Sequence, residues 1–141
     1  GSLEGIIRPT DSDSSDRIMR RMREVATTLG AAFDCVIEVS FDKHFPAVRN
    51  SPEAVPLAHI AAVGAVGEDH VLVHELPSMG AEDFSFYLQE VPGCYVRWGA
   101  RPPGQDDIPL HSPRFDFDEA LLGIAAGYCD RVVREAQHRL S

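Results

Sequence analysis

Residues Pro109–Leu110–His111–Ser112–Pro113 constrain this chain more than any other stretch. Proline fixes its own φ and biases the residue before it away from helix. Ser112 is therefore expected to be extended, and His111 to sit on a stiff, non-helical corner. A Pro102–Pro103–Gly104 loop comes before it, and a helical pattern follows from about Asp118. A stiff loop that presents one imidazole just ahead of a long helix is how a rigid scaffold places a metal ligand or a general base. The alternative is a loop histidine in water, and spacing alone leaves both open.

The 141 residues allow one domain or two partial ones. With 44% hydrophobic and 25% charged residues the composition is that of a globular protein. No apolar run reaches the ~18 residues of a bilayer span, so no membrane partner is expected. The formal charge of −9 repels phosphate backbones and weighs against nucleic acid. Cys35, Cys94 and Cys129 are widely spaced and form neither a metal-binding pair nor a paired framework. Each reads as a small packed hydrophobe, which suits a reducing cytoplasm. Gly1–Ser2 looks like a cloning scar and is left out of the fold reading.

Leu3–Arg8 reads as a strand ended by Pro9. Asp11–Asp16 supplies capping side chains and negative charge for a helix start. Ile18, Met19, Met22, Val25, Ala26 and Leu29 then recur at spacings of three and four, and Gly30 fits the C′ position. Arg17, Arg20, Arg21 and Arg23 share the other face. They read as a solvated surface rather than an anion site, given the acidic total. Cys35–Phe41 reads as a second strand. Strand, helix, strand is half of a ferredoxin-like βαββαβ unit.

Phe45–Pro46 and Asn50–Ser51–Pro52 place a domain boundary near Arg49. Ser51 is expected to cap a helix that has Pro52 at its first position and runs toward Gly67, with Pro56 bending its first turns. His70–His74 reads as a strand. On a strand its two histidines lie about 13 Å apart, too far to share one metal. His44, His59 and His138 have no ligand-like neighbours. Met79–Ala81 reads as a tight turn. Glu82 and Asp83 open a short helix, either as dipole-favoured acids or as acids facing a pocket. Gly93–Gly99 is the next strand. Leu121, Leu122, Ala125, Tyr128, Val132 and Ala136 trace the face of the last helix, where Gly123 and Gly127 would permit close packing on a sheet. Neither Gly64–Gly67 nor Ser78, Ser85 or Ser112 has the context of a phosphate loop or a nucleophile elbow.

Two of these stretches together, Met79–Gly80–Ala81–Glu82–Asp83–Phe84–Ser85 and Pro109–Leu110–His111–Ser112–Pro113, resemble the metal-dependent amidohydrolases of peptidase family M-twenty. That family includes hippurate hydrolases, indoleacetyl-amino-acid hydrolases and N-acyl-amino-acid amidohydrolases. Pro46–Asn50 is similar to the family's Pro-x-Thr-Val-Asn segment, with Ala47 for Thr and Arg49 before Asn50. The connection Asp118–Leu121 is shorter than is usual there. The resemblance runs from Leu3 to about Ala136 and covers only the C-terminal part of such an enzyme.

The resemblance implies an α/β fold. Residues 3–49 would be half of the ferredoxin-like lid or dimerisation domain, and residues 50–141 the C-terminal part of a zinc-peptidase-like catalytic domain. It implies hydrolysis of the amide bond of N-acyl amino acids or small peptides, assisted by zinc, manganese or cobalt, in a cytoplasmic homodimer. His111 would be the last metal ligand. Asn50, Gly80, Glu82, Asp83 and Ser112 would line the substrate pocket or support that ligand. The other ligands and the general-base glutamate would lie upstream of Leu3, so the fragment is expected to hold no metal and to be inactive. The alternative is a non-catalytic dimerisation or ligand-binding module derived from the same fold.

Overall fold

The computed structural model describes residues 1–42, 45–73 and 77–140. They hold four α-helices: α1 (Ser12–Ala32), α2 (Ala54–Val66), α3 (Phe84–Glu90) and α4 (Ala120–Leu140), with one 3-10 turn at Glu68–His70. The chain divides into two units. The first comprises Gly1–Arg49 and Leu76–Val91, and the second Asn50–Glu75 and Pro92–Ser141.

In the first unit, Asp11 caps α1 by accepting from the Ser14 N–H at 2.7 Å and the Ser14 hydroxyl at 3.0 Å. These bonds hold the Asp11 carboxyl below its usual pKa. The helix runs past Gly30, which is therefore not the C′ residue. It closes through Asp34, whose φ of 49° takes the left-handed position, with Cys35 N–H donating back to the Gly30 carbonyl at 2.9 Å. Gly30 serves close approach instead: a Cβ there would stand 2.7 Å from the Cys35 carbonyl oxygen. Only Ala26 of the expected apolar stripe is buried; Met22, Val25 and Leu29 stay exposed. On the arginine face, Arg20 and Arg21 pair with Glu24, and Arg23 lies 4.7 Å over the Phe41 ring.

In the second unit α2 packs on α4. The contact uses small residues: Ala58 and Ala61 are buried, and Gly64 lets the Arg131 side chain pass at 3.0 Å from where a Cβ would be. Pro56 falls in the first turn of α2, where its missing N–H would have had no helical partner, so it needs no bend. Ser51 does not cap this helix with its side chain: its hydroxyl accepts from Gly93 N–H at 3.0 Å. The helix ends at Gly67, with φ 86°. On α4, Leu121, Ala125, Tyr128, Val132 and Ala136 are covered as the periodicity predicts, while Leu122 is exposed. Among the described residues nothing comes within 4 Å of a Cβ at Gly123 or Gly127; the close approach in this unit is at Gly64.

No strand forms among the described residues. Residues 3–8, 35–41, 71–73 and 93–99 lack helix, as expected, but no ladder joins them, and the expected sheet of the second unit is absent. The physical reason is that β-propensity reports how well side chains fit a pleated, half-buried surface. The strand itself needs a partner backbone, and a lone segment gains nothing from extension. Leu3, Ile6, Val36, Leu72 and Val73, which a sheet would bury, are exposed. His70 lies in the 3-10 turn rather than on a strand, and His44 and His74 fall outside the described residues. Met79–Ala81 forms no turn; among the described residues Gly80 N–H donates to the Ser78 hydroxyl, at 3.3 Å. No helix among the described residues is long and apolar enough to cross a membrane.

Candidate functional site

The chain from Ala100 to Asp118 is a loop closed at its neck. Asp118 N–H donates to the Ala100 carbonyl at 2.9 Å, and the Asp118 carboxylate caps α4 through Ala120 N–H at 2.9 Å. Inside the loop, Gln105 N–H reaches the Pro102 carbonyl at 3.3 Å, Ser112 N–H the Pro109 carbonyl at 3.0 Å, and Phe115 N–H the Ser112 carbonyl at 3.0 Å. The loop is thus built of turns that fold on themselves, in the manner of an Ω-loop.

His111 is the third residue of the turn that runs from Pro109 to Ser112, and its φ is 74°. That position normally favours glycine or asparagine. A side chain with a Cβ is uncommon in this region, and such outliers gather at functional sites. The imidazole is exposed, and among the described residues it has no hydrogen-bond or ionic partner. The Asp116 and Asp118 carboxylates, which follow His111 closely in sequence, accept from the backbone N–H groups of Phe117 and Ala120. The Ser112 hydroxyl accepts from Arg114 N–H at 3.2 Å.

Beside the turn lies an open concavity of about 640 Å³, walled by Trp98, Pro109, Leu110 and Phe115 and edged by Arg101 and Asp107. Pro109 and Leu110 stood out in sequence as part of the turn, but nothing marked these residues as walls of a hollow. The one available signal was the Pro102–Pro103–Gly104 loop, which fixes the course of the chain around the hollow.

Asn50 and Ser112 stand in the second unit with His111; Gly80, Glu82 and Asp83 stand in the first. The Asn50 carboxamide is bonded twice to the backbone of Tyr95. Glu82 turns one oxygen toward Phe84 N–H, at 3.4 Å, and its carbonyl accepts from Ser85 Oγ at 2.6 Å. Asp83 makes no side-chain capping bond to α3. Among the described residues no three His, Cys, Asp or Glu side chains gather as a metal centre requires. One imidazole does not fit a catalytic metal, which needs about three protein ligands.

Residues 3–134 match peptidase family M20/M25/M40. The chain belongs to this family. N-acetylcysteine deacetylase of Bacillus subtilis is 29% identical over 126 residues, which is 89% of this chain and 31% of that protein. Thermostable carboxypeptidase 1 of Saccharolobus solfataricus is 30% identical over 128 residues, 88% of this chain and 31% of that protein. A hydrolase of Sinorhizobium fredii is 32% identical over 131 residues, 90% and 32% of the two chains. The M20 chain described here thus spans about a third of the length of these relatives. No solved structure matches it. Membership supports a hydrolase with a zinc-peptidase-like α/β fold, of which the described residues contribute helices and unpaired extended segments.

Proposed function

We propose that this chain is the C-terminal part of a metal-dependent amidohydrolase that cleaves the amide bond of N-acyl amino acids or small peptides. His111 supplies one ligand to its zinc, manganese or cobalt. Residues 3–49 serve as half of a ferredoxin-like dimerisation domain, and residues 50–141 complete the catalytic domain of a cytoplasmic homodimer. The observation that carries the reading is His111 itself: an exposed imidazole without a partner among the described residues, held at a φ of 74° in a turn flanked by two prolines. A solvated surface position gives no reason to keep a Cβ in that backbone region. Family membership supports the chemistry, as do two relatives named for an N-acetyl amino acid and for carboxypeptidase activity.

In this reading His111 would be one of the residues that hold the metal, and the chemistry the metal would supply is polarisation of the amide carbonyl and activation of water. The part played by this chain is positional. The closed neck at Ala100 and Asp118 fixes the loop, the Pro109–Ser112 turn aims the imidazole, and the hollow lined by Trp98 and Phe115 lies beside it. Asn50, Gly80, Glu82, Asp83 and Ser112 shape the substrate pocket or its supports. The base and the remaining ligands come from outside this chain, so the chain alone is inactive.

The test is to join the chain to the remaining two thirds of its family fold and compare His111→Ala with the parent. Metal content and hydrolysis of N-acetyl and hippuryl substrates are both expected to fall, with circular dichroism unchanged. Equal metal content and turnover in the two proteins would overturn the assignment.

A further inference from the structure

Two segments distant in sequence are clamped together in the second unit by four hydrogen bonds. Ser51 N–H donates to the Gly93 carbonyl at 2.9 Å, and Gly93 N–H donates to the Ser51 hydroxyl at 3.0 Å. Asn50 Nδ2 donates to the Tyr95 carbonyl at 3.1 Å, while Tyr95 N–H donates to Asn50 Oδ1 at 2.8 Å. The carboxamide therefore does for Tyr95 what a neighbouring strand would do, satisfying both its donor and its acceptor. Only Asn or Gln carries both groups on one planar head, and Gln would place that head one methylene farther out. The segment so held continues to Trp98, whose ring meets Tyr128 edge-on at 5.2 Å. It then reaches Ala100, whose carbonyl closes the neck of the His111 loop on Asp118. Three anchors thus follow one another along the six residues from Tyr95 to Ala100: Asn50 at Tyr95, Tyr128 at Trp98, and Asp118 at Ala100.

We infer that Asn50 is a positioning residue for the His111 loop: by holding the Tyr95 peptide it fixes the Tyr95–Ala100 segment, which carries one side of the loop's neck. Its functional weight rests on the reading of His111 as a ligand; its mechanical content does not. Losing the carboxamide removes one anchor of this segment and leaves the Ser51–Gly93 bonds on one side of Tyr95 and the contacts of Trp98 and Ala100 on the other. Asn50 contacts only backbone of this segment, so its effect on His111 is indirect.

The 141-residue chain itself supplies the test, through amide exchange and the emission of Trp98, its one tryptophan. In Asn50→Ala, the amides of Asp118 and Ser112 are expected to exchange about tenfold faster than in the parent, the scale of one lost hydrogen bond. Trp98 emission should move to the red, and the amides of α1 should be unchanged. Asn50→Asp is the second variant and is read against the parent at each pH, because the loop's own Asp116 and Asp118 carboxylates also accept hydrogen bonds. Its protonated carboxyl presents a donor and an acceptor as the amide does, and its ionised form sets an oxygen against the Tyr95 carbonyl. The ratio of loop protection in the variant to that in the parent should be near one at low pH and fall as this carboxyl ionises. A Tyr95 amide set free while Asp118, Ser112 and Trp98 keep their parental signals would overturn the inference. So would a ratio that does not change with pH. These readouts need neither metal nor substrate, so their failure leaves the hydrolase reading standing, and failure of the His111→Ala comparison leaves these untouched.

Discussion

Trp98 and Tyr128 meet edge to face, with ring centroids 5.2 Å apart and planes 82° apart. Tyr128 is the buried centre of the covered face of α4, and this contact joins α4 to the segment that leads into the His111 loop. Burial pushes its phenol above the usual tyrosine pKa, with the nearby Cys94 and Cys129 adding to the effect. Tyr128→Ala is therefore expected to cost about 3 kcal/mol, the low end of aromatic truncations in a core. Tyr128→Phe should cost little and keep the Trp98 emission of the parent. Chemical denaturation followed at Trp98 checks both; equal midpoints for the two variants would contradict the packing role.

Asp11 makes α1 sensitive to acid. Its carboxyl is held below the ordinary 3.8 by the Ser14 N–H, then by the hydroxyls of Ser14 and Thr10. A depressed folded pKa contributes stability that is present above the unfolded value and lost as pH falls through the folded one. The helix start should therefore fray as pH drops below about 3.8, with the Ser14 amide exchanging faster. Asn at position 11 keeps a capping oxygen without the titration. Asp11→Asn should abolish this acid step and leave helicity at neutral pH nearly unchanged, as read by the Ser14 amide and by circular dichroism.

Two helical glycines should respond oppositely to alanine. At Gly64 the nearest atoms to the added methyl all belong to the flexible side chain of Arg131, its guanidinium at 3.0 Å and its Cδ at 3.4 Å, and a few tenths of an ångström of side-chain movement relieves the contact. Gly64→Ala should gain up to about 1 kcal/mol of helix propensity. At Gly30 it meets the Cys35 backbone oxygen at 2.7 Å. The closing turn must then move, and overpacking of this kind costs about 1–3 kcal/mol. Thermal melts of the two variants should shift in opposite directions.

Leu3, Ile6, Phe33, Val36, Leu72 and Val73 are exposed, and all lie on or beside the segments that read as strands. The isolated chain is therefore expected to bind a hydrophobic dye, to melt over a broad range, and to self-associate in sedimentation. Addition of the rest of the family fold should sharpen the melt and suppress the dye signal. A sharp, dye-free transition of a monomeric chain would contradict this.

The helices were legible because their signals are local. The acidic cap at Asp11 and the three-and-four spacing from Leu121 to Ala136 each act within a few residues. Leu122 was misplaced because an apolar residue beside the stripe looks the same in sequence as one within it. The strands failed for the converse reason, since the partner that makes a strand is not local. Asn50 shows the same limit: the segment before it marked it for attention, but its bonding partner Tyr95 lies 45 residues away and no neighbour of position 50 announces that pairing. The non-helical corner at His111 was legible from its prolines, but its positive φ was not. Pro113 restricts Ser112 rather than His111, and the bond that closes Ser112 on Pro109 occurs in turns of either sign of φ at the third position.

That positive φ gives the most direct test of whether position 111 serves function or folding. A residue with a Cβ in the left-handed region costs roughly 1–2 kcal/mol that glycine does not incur. If His111 were there for the loop, removing it should harm the loop. If it is there for its imidazole, His111→Gly should leave the loop intact or steadier while the chemistry is lost. The expected result is a chain whose Ser112 and Asp118 amides are at least as protected as in the parent. Joined to the rest of the enzyme, the same variant should retain less metal and show no hydrolysis of N-acyl substrates. His111→Ala should lose the same functions without the gain in loop protection, because it keeps the Cβ. A glycine variant with parental metal content and turnover would show that the strain at residue 111 has no functional purpose.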